Sequence, residues 1–186
     1  MSLIRYLAGS EIPLLRDHLL RLDPEDRRMR FGGASLKPEA VEAYCASIDR
    51  SRSLHVGYFD QGVLRGVAQI CFLDGPVPGW LDHAGNAEFA ISVERPWQNG
   101  GIGTRLPTRA VILARNRNIA NLFMMCLPDN DKMKRLARKC GIRLRSQDGE
   151  VIGAAGLDRP DALTVVAEYV DSAAGLVDEL LEYAAR

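Results

Sequence analysis

Two stretches of this 186-residue sequence have residue types and spacing that could do chemistry. The first is Gln98-Asn99-Gly100-Gly101-Ile102-Gly103-Thr104. Glycines let a backbone approach a ligand closely and take positive φ. A helix that starts here has first amides with no internal partners, pointing out of its end. Together with the helix dipole they favour an anion, most commonly a phosphate. The second is Glu88, in the run Ala87-Glu88-Phe89-Ala90-Ile91-Ser92-Val93. On a strand, Ala87, Phe89, Ile91 and Val93 share one face, and Glu88, Ala90 and Ser92 share the other. A carboxylate beside two small residues has space for water or substrate, which suits a general base. Pairing of Glu88 with an arginine is the bland alternative. No Ser/His/Asp set is apparent, and Ser92 has no base near it in the chain.

The kind of phosphate site narrows by elimination. A P-loop needs Gly-Lys-Ser/Thr after its glycines, whereas Gly103 is followed by Thr104-Arg105. A dinucleotide fingerprint needs a small residue three positions after Gly103, where Leu106 stands. For this segment alone, a turn with no phosphate role stays open. The pattern Gln98-x-x-Gly101-x-Gly103 resembles the Gln/Arg-x-x-Gly-x-Gly/Ala signature of the GNAT superfamily of N-acetyltransferases. The run Ala87 to Val93 followed by Trp97-Gln98 is similar to the subgroup that includes bacterial protein-lysine acetyltransferases. Downstream, Asn130-x-x-Met133-x-x-Leu136-x-x-Lys139-x-Gly141 resembles the family's second motif, and the interval between the motifs has room for one helix and one strand. The likeness spans roughly residues 54 to 157, with weaker support in Arg28 to Phe31.

The resemblance implies direct transfer of an acetyl group from acetyl-coenzyme A to a primary amine, with no metal. It implies that the loop amides from Gln98 through Asn99, Gly100, Gly101, Ile102, Gly103 and Thr104 hold the pyrophosphate. The strand backbone at Ile91, Ser92 and Val93 would donate to the acetyl carbonyl and the pantetheine arm. Asn130 and Met133 would lie along the cofactor, and a glutamate at the position of Glu88 serves as base in several members. Two features depart from the family. Ala137 stands where many relatives carry a tyrosine that protonates the leaving thiolate; Tyr58 and Tyr169 are conceivable substitutes, with core packing the simpler role for both. Pro107 removes a backbone donor early in the following helix. A non-catalytic acyl-coenzyme A binding or sensor module is the alternative function, and another phosphate ligand such as a nucleotide is a third.

To position these residues, a strand must run into the loop and a helix out of it. Strand patterns span Leu54 to Asp60, Val63 to Leu73, Ala87 to Val93 and Leu122 to Leu127, with Gln61-Gly62 a hairpin turn. Helical spacing marks Pro13 to Leu22, Pro38 to Ser47, the segment from Gly103 to about Asn118, and Asp131 to Cys140, which Gly141 caps. Ile4 to Leu7 reads as a first strand, and Glu25 to Arg30 as a charged segment broken by Phe31-Gly32-Gly33. Two further strands are expected at Glu150 to Leu157 and Ala162 to Tyr169, then a helix from Asp171 to Ala185. The fold class is α/β (α+β): a GNAT-like single domain, 1–186, with core 54–170, C-terminal helix 171–186, and a mixed central sheet of about seven strands flanked by helices.

The bulk composition excludes several partners. Formal net charge is zero, which disfavours a nucleic-acid or polyanion binder. The cluster Lys132, Lys134, Arg135, Arg138 and Lys139 reads first as solvated helix surface. Cys45, Cys71, Cys126 and Cys140 show no metal-ligand spacing, and a reducing compartment fits them. With no signal-peptide core and no spanning apolar run, a cytoplasmic protein is expected. The resemblance implies that the acceptor, a small-molecule amine or a protein lysine, is met by Arg16 to Gly33 and Asp74 to Gly85. There Asp74, Asp82 and Glu88 could attract a cation and His83 could line the site. The last helix could cover the sheet or form a homodimer contact.

Overall fold

Short left-handed turns fold the strands back on each other. Gln61 and Gly62 both take positive φ (50° and 74°), as do Asp148 and Gly149 (50° and 84°). Two-residue turns of this hand match the twist of the strands they join. They connect β2 (Ser53–Asp60) to β3 (Val63–Leu73) and β6 (Arg143–Gln147) to β7 (Glu150–Gly156). With β1 (Ser2–Tyr6), β4 (Asn86–Val93) and β5 (Asn121–Cys126) they form one seven-stranded sheet, ordered β1-β2-β3-β4-β5-β7-β6. The computed structural model describes residues 2–34, 36–73 and 85–184. Asp74, Asp82 and His83 lie outside the described residues.

Every neighbouring pair is antiparallel except β4 and β5. Their parallel pairing covers only Asn86–Asn121, Ala87–Leu122 and Glu88–Phe123. Past Glu88 the two strands part, and the sheet is forked at its centre.

Helices cover both faces: α1 (Ile12–Arg21), α2 (Pro24–Arg30), α3 (Pro38–Ser47), α4 (Ile102–Asn116), α5 (Asp131–Lys139) and α6 (Ala162–Ala184). On one face Ala87, Phe89, Leu122 and Met124 of the sheet pack against Leu106, Ala110 and Leu113 of α4 and Ala137 of α5. On the other, Val67 packs against Leu15 and Leu19 of α1 and Val41 and Cys45 of α3. The helix α4 runs unbroken through Pro107. Pro107 is the sixth residue of α4, so it removes one intrahelical bond, the one its position would make to the Gly103 carbonyl, and the helix continues past it.

The sheet has the expected size, but three elements differ from the sequence reading. The charged segment after Asp23 is a full helix, α2, because Pro24 opens it and the Asp23 carboxylate accepts the Asp26 N–H at 2.8 Å. The segment Arg143–Gln147 is a strand; it is a mostly exposed edge with little hydrophobic alternation to reveal it. The expected strand at Ala162 to Tyr169 is the start of α6, which begins nine residues before Asp171. Its β-branched residues suggested a strand, but Asp161 and Thr164 cap a helix there: Asp161 Oδ1 accepts the Thr164 N–H at 2.9 Å and Thr164 Oγ1 accepts the Asp161 N–H at 3.0 Å.

Candidate functional site

The fork between β4 and β5 opens into a cleft of about 690 Å³. Phe89, Ala90, Ile91, Ser92 and Val93 form one wall, and Met125 and Cys126 stand on the β5 side. At one end the chain leaves β4 and enters the glycine loop. Asn99 and Gly101 take left-handed φ (64° and 79°), and Gly101 is the N-cap of α4. A side chain at Gly101 would be strained, whatever the space. Among the described residues, the N–H groups of Asn99, Gly100, Gly101, Ile102 and Gly103 donate to no backbone carbonyl. A Cβ built on Gly103 meets no atom within 4 Å, so this side of the loop is open to a ligand. The expected loop residues Gln98, Asn99, Gly101, Gly103 and Thr104 line the cleft; Gly100 does not, and Ile102 is turned into the core.

Gln98 has a structural task. Its amide donates to the Val93 carbonyl at 2.8 Å and to Asp26 of α2 at 3.0 Å, while its oxygen accepts from Lys132 of α5 at 2.7 Å. It therefore ties the loop to both helices that face it. Lys132, Arg135 and Lys139 of α5 line the cleft, so part of the basic cluster first read as solvated surface faces this cavity. Met133 and Asn130 line it too; the Asn130 side chain caps α5 by accepting the Met133 N–H at 3.0 Å. The opposite rim is α2, through Glu25, Asp26, Met29 and Arg30. This rim lies within Arg16 to Gly33, the segment expected to meet the acceptor, although residue spacing marked it only by its charge.

The main surprise is next to Ser92. The side chain of His18, on α1, is fully buried, with Nε2 2.9 Å from Ser92 Oγ and Nδ1 3.2 Å from Glu94 Oε1. The expectation that Ser92 has no base nearby is thus overturned: the partners lie 74 and 76 residues apart in sequence. Glu94 also accepts from Arg21 Nε at 2.8 Å and Arg65 Nη1 at 2.9 Å. Burial raises its carboxyl pKa, but hydrogen bonds from His18, Arg21 and Arg65 outweigh this and bring it to about 2. Burial pushes the His18 pKa below its ordinary value, so the ring is neutral. An ionised Glu94 requires a proton on Nδ1, which leaves the Nε2 lone pair to accept the Ser92 hydroxyl proton.

Glu88 is the last β4 residue paired with β5, at the crotch of the fork. It is half-buried and makes no ion pair or side-chain hydrogen bond among the described residues. Its face is the one Ser92 shares, while the cleft lining begins one residue later at Phe89. Ala137 is buried in the core. Neither Tyr58, in the core, nor Tyr169, exposed on α6, lines the cleft. His55 is buried with Nε2 unpartnered and a pKa lowered by burial to about 4. Among the described residues no group of three or more His, Cys, Asp or Glu side chains could hold a metal ion, and no helix is long and apolar enough to cross a membrane.

A long cleft with free amides and basic side chains at one end, and a strand edge with polar groups along its wall, suits a phosphate-bearing ligand whose reactive end lies beside β4. Comparison with known proteins bears on what that ligand is. A family model described as "Acetyltransferase (GNAT) family" matches residues 18–142. Among solved structures, the GNAT domain of S. lividans PAT is 20% identical with a TM-score of 0.67, over 83% of this chain and 89% of that one. The yncA protein from Salmonella typhimurium, with its cofactor acetyl-CoA, is 16% identical with a TM-score of 0.65, over 87% and 99%. A ribosomal-protein-alanine N-acetyltransferase from Brucella melitensis is 18% identical with a TM-score of 0.63, over 83% and 99%. At these identities the structural likeness establishes the fold.

Proposed function

The chain belongs to the acetyltransferase (GNAT) family, and on that premise we propose that it moves an acetyl group from acetyl-coenzyme A to a primary amine by direct transfer, with Glu88 as general base. The observation that carries the reading is the fork past Glu88, which opens onto the open-sided glycine loop. The pyrophosphate would rest on the amides from Asn99 to Gly103 and near Lys132, and the pantetheine arm would run along the β4 edge at Ile91, Ser92 and Val93. Asn130 and Met133 would hold the α5 side. Acetyl-coenzyme A would supply an activated thioester; the protein's residues bind it, orient it and move protons.

The acceptor amine is protonated at neutral pH, since a lysine-type amine has a pKa of about 10.4. Glu88 takes the first proton from this ammonium, directly or through water. Glu25 and Asp26 on the α2 rim line the cleft, and with Glu88 at the crotch just beyond the lining they supply carboxylates that attract a cation. A protein N-terminus, a protein lysine and a small-molecule amine all satisfy that chemistry.

Thiol release from acetyl-coenzyme A across a panel of primary amines and lysine peptides tests the reading. Glu88→Gln is expected to lower kcat/KM for the amine about 100-fold. Unchanged turnover would remove Glu88 from the mechanism. Tight acetyl-coenzyme A binding with no turnover of any amine would favour a sensor module. Thermal shift should respond to acetyl-coenzyme A well before ATP or NAD; the reverse order would point to a nucleotide site.

A further inference from the structure

We infer that Ser92, His18 and Glu94 form a proton relay that carries the second amine proton from the tetrahedral adduct to the coenzyme A thiolate. The inference rests on the transfer reaction proposed above. Making an amide from an ammonium removes two protons, and Glu88 accounts for only the first. The second leaves after the nitrogen has attacked, and the departing thiolate needs one. The tyrosine that often supplies it in this family is replaced by Ala137, which is in the core, and among the described residues no tyrosine lines the cleft. Among the described lining residues the hydroxyls are Ser92 and Thr104, and Thr104 belongs to the first turn of α4, at the phosphate end.

Ser92 has what a relay needs. It stands on the cleft wall, and its Oγ is 2.9 Å from His18 Nε2, the nitrogen that the Glu94 contact leaves unprotonated. The ring is held by a carboxylate kept ionised by two arginines. The groups facing His18 are Glu94, Arg21 of its own helix and Arg30 of α2, with Arg65 acting on Glu94 from β3. Arg21 and Arg30 oppose a lasting positive charge on the ring, so a proton that arrives there is passed back quickly. Ser92 is the catalytic residue; His18 and Glu94 act through it.

The step balances. The neutral amine nitrogen attacks the thioester carbon, and the carbonyl π pair moves to oxygen. The adduct's N–H proton passes to Ser92 Oγ as the Ser92 hydroxyl proton moves to His18 Nε2. The oxyanion re-forms the carbonyl and breaks the C–S bond, whose electron pair leaves on sulfur. The proton on His18 then returns through Ser92 Oγ to that sulfur. Nothing is oxidised or reduced.

The test uses the full chain, acetyl-coenzyme A and the best amine of the panel. If the wild type turns over no amine, the transfer reading itself fails. Given turnover, Ser92→Ala is expected to lower kcat about 100-fold, with the KM for acetyl-coenzyme A unchanged and the protein still folded at the assay temperature, although the lost contact to buried His18 lowers the unfolding midpoint. The deficit should shrink as pH rises, because hydroxide then removes the second proton. His18→Gln should give a similar loss, and the double variant no more than either single one, since both sit on one path. A kcat for Ser92→Ala within about two-fold of wild type, or a loss that is constant with pH, would overturn the relay and leave the cluster as a tie between α1 and the sheet. If His18→Gln does not fold, Ser92→Ala and its pH profile decide alone.

Discussion

On one side of the sheet, β4 meets α4 and α5 through Ala87, Phe89, Leu106, Ala110 and Ala137. On the other it meets α1 and α2 through Ser92 and, just past its end, Glu94, with His18, Arg21, Arg30 and Arg65 gathered around them. The first contact gains free energy from burying apolar surface. The second buries charge, which costs several kcal/mol per ion before partners offset it. Packing alone would be served equally well by apolar residues on both sides. The hydrogen-bonded polar cluster is concentrated at the wall of the cleft, where a proton has somewhere to go. Away from that wall, the same layer returns to apolar packing between α1, α3 and Val67.

The contrast breaks most sharply at its apolar end. Leu106 is fully buried against the sheet, and Leu106→Ala should destabilise the protein by about 4 kcal/mol through lost transfer energy and a residual cavity. Denaturant unfolding at pH 7 measures this, and a cost below about 1 kcal/mol would mean that the layer collapses around the gap. The variant should keep the wild-type dependence of stability on pH.

Glu94→Gln should cost somewhat less, about 3 kcal/mol at pH 7, by leaving two arginines without their carboxylate. Its signature lies in acid. The folded pKa of Glu94 is depressed from 4.5 to about 2, so its contribution is present above pH 4.5 and lost as pH falls toward 2. The variant and the wild type should therefore converge over that interval. A separate loss, below about pH 6.5, comes from His18 and His55, whose folded pKa values are lowered, so that the unfolded chain binds protons first. That earlier loss should persist in Leu106→Ala. A cost for Glu94→Gln that is flat from pH 7 to pH 2 would contradict the ionised, partnered state of this carboxylate.

The same contrast explains what the sequence could reveal. The glycine loop, the alternating strand before it and the Asn130 cap are local, so residue spacing exposes them. The apolar layer is nearly as legible, because periodicity marks Leu106, Ala110 and Leu113 as one helix face. The His18 contacts span 74 and 76 residues, and no spacing encodes them. One signal was present: His18 and Arg21 are three apart on one helix, and both point at Glu94. The strand Arg143–Gln147 hid because an exposed edge shows little alternation, although Asp148-Gly149 marked its hairpin.

The smallest expected effect concerns α6, which reverses the usual arrangement. Over its first turns three polar residues face inward: Thr164 and Asp171 are buried, Asp171 pairs with Arg109 at 2.8 Å, and Glu168 accepts from Asn116 at 2.7 Å. Leu163, Val166 and Val170 face outward and are exposed. An outward apolar stripe of β-branched residues reads as a strand, and only the cap at Asp161 argues for a helix. The Asp161 carboxyl pKa is lowered, chiefly by the Thr164 N–H, so the cap is in place above pH 3.8 and is lost as pH falls below that value. Asp161→Ala should speed hydrogen exchange of the first-turn amides, Thr164 above all, about five-fold at neutral pH, while amides of α4 keep their wild-type rates. The ion pair of Asp161 with Arg115 is exposed and should add little. Unchanged exchange at Thr164 would mean that the polar contacts of Thr164, Glu168 and Asp171 with α4 hold the start of the helix without the cap. The inward polar face, and not the local turn chemistry, would then be what converts a strand-like sequence into α6.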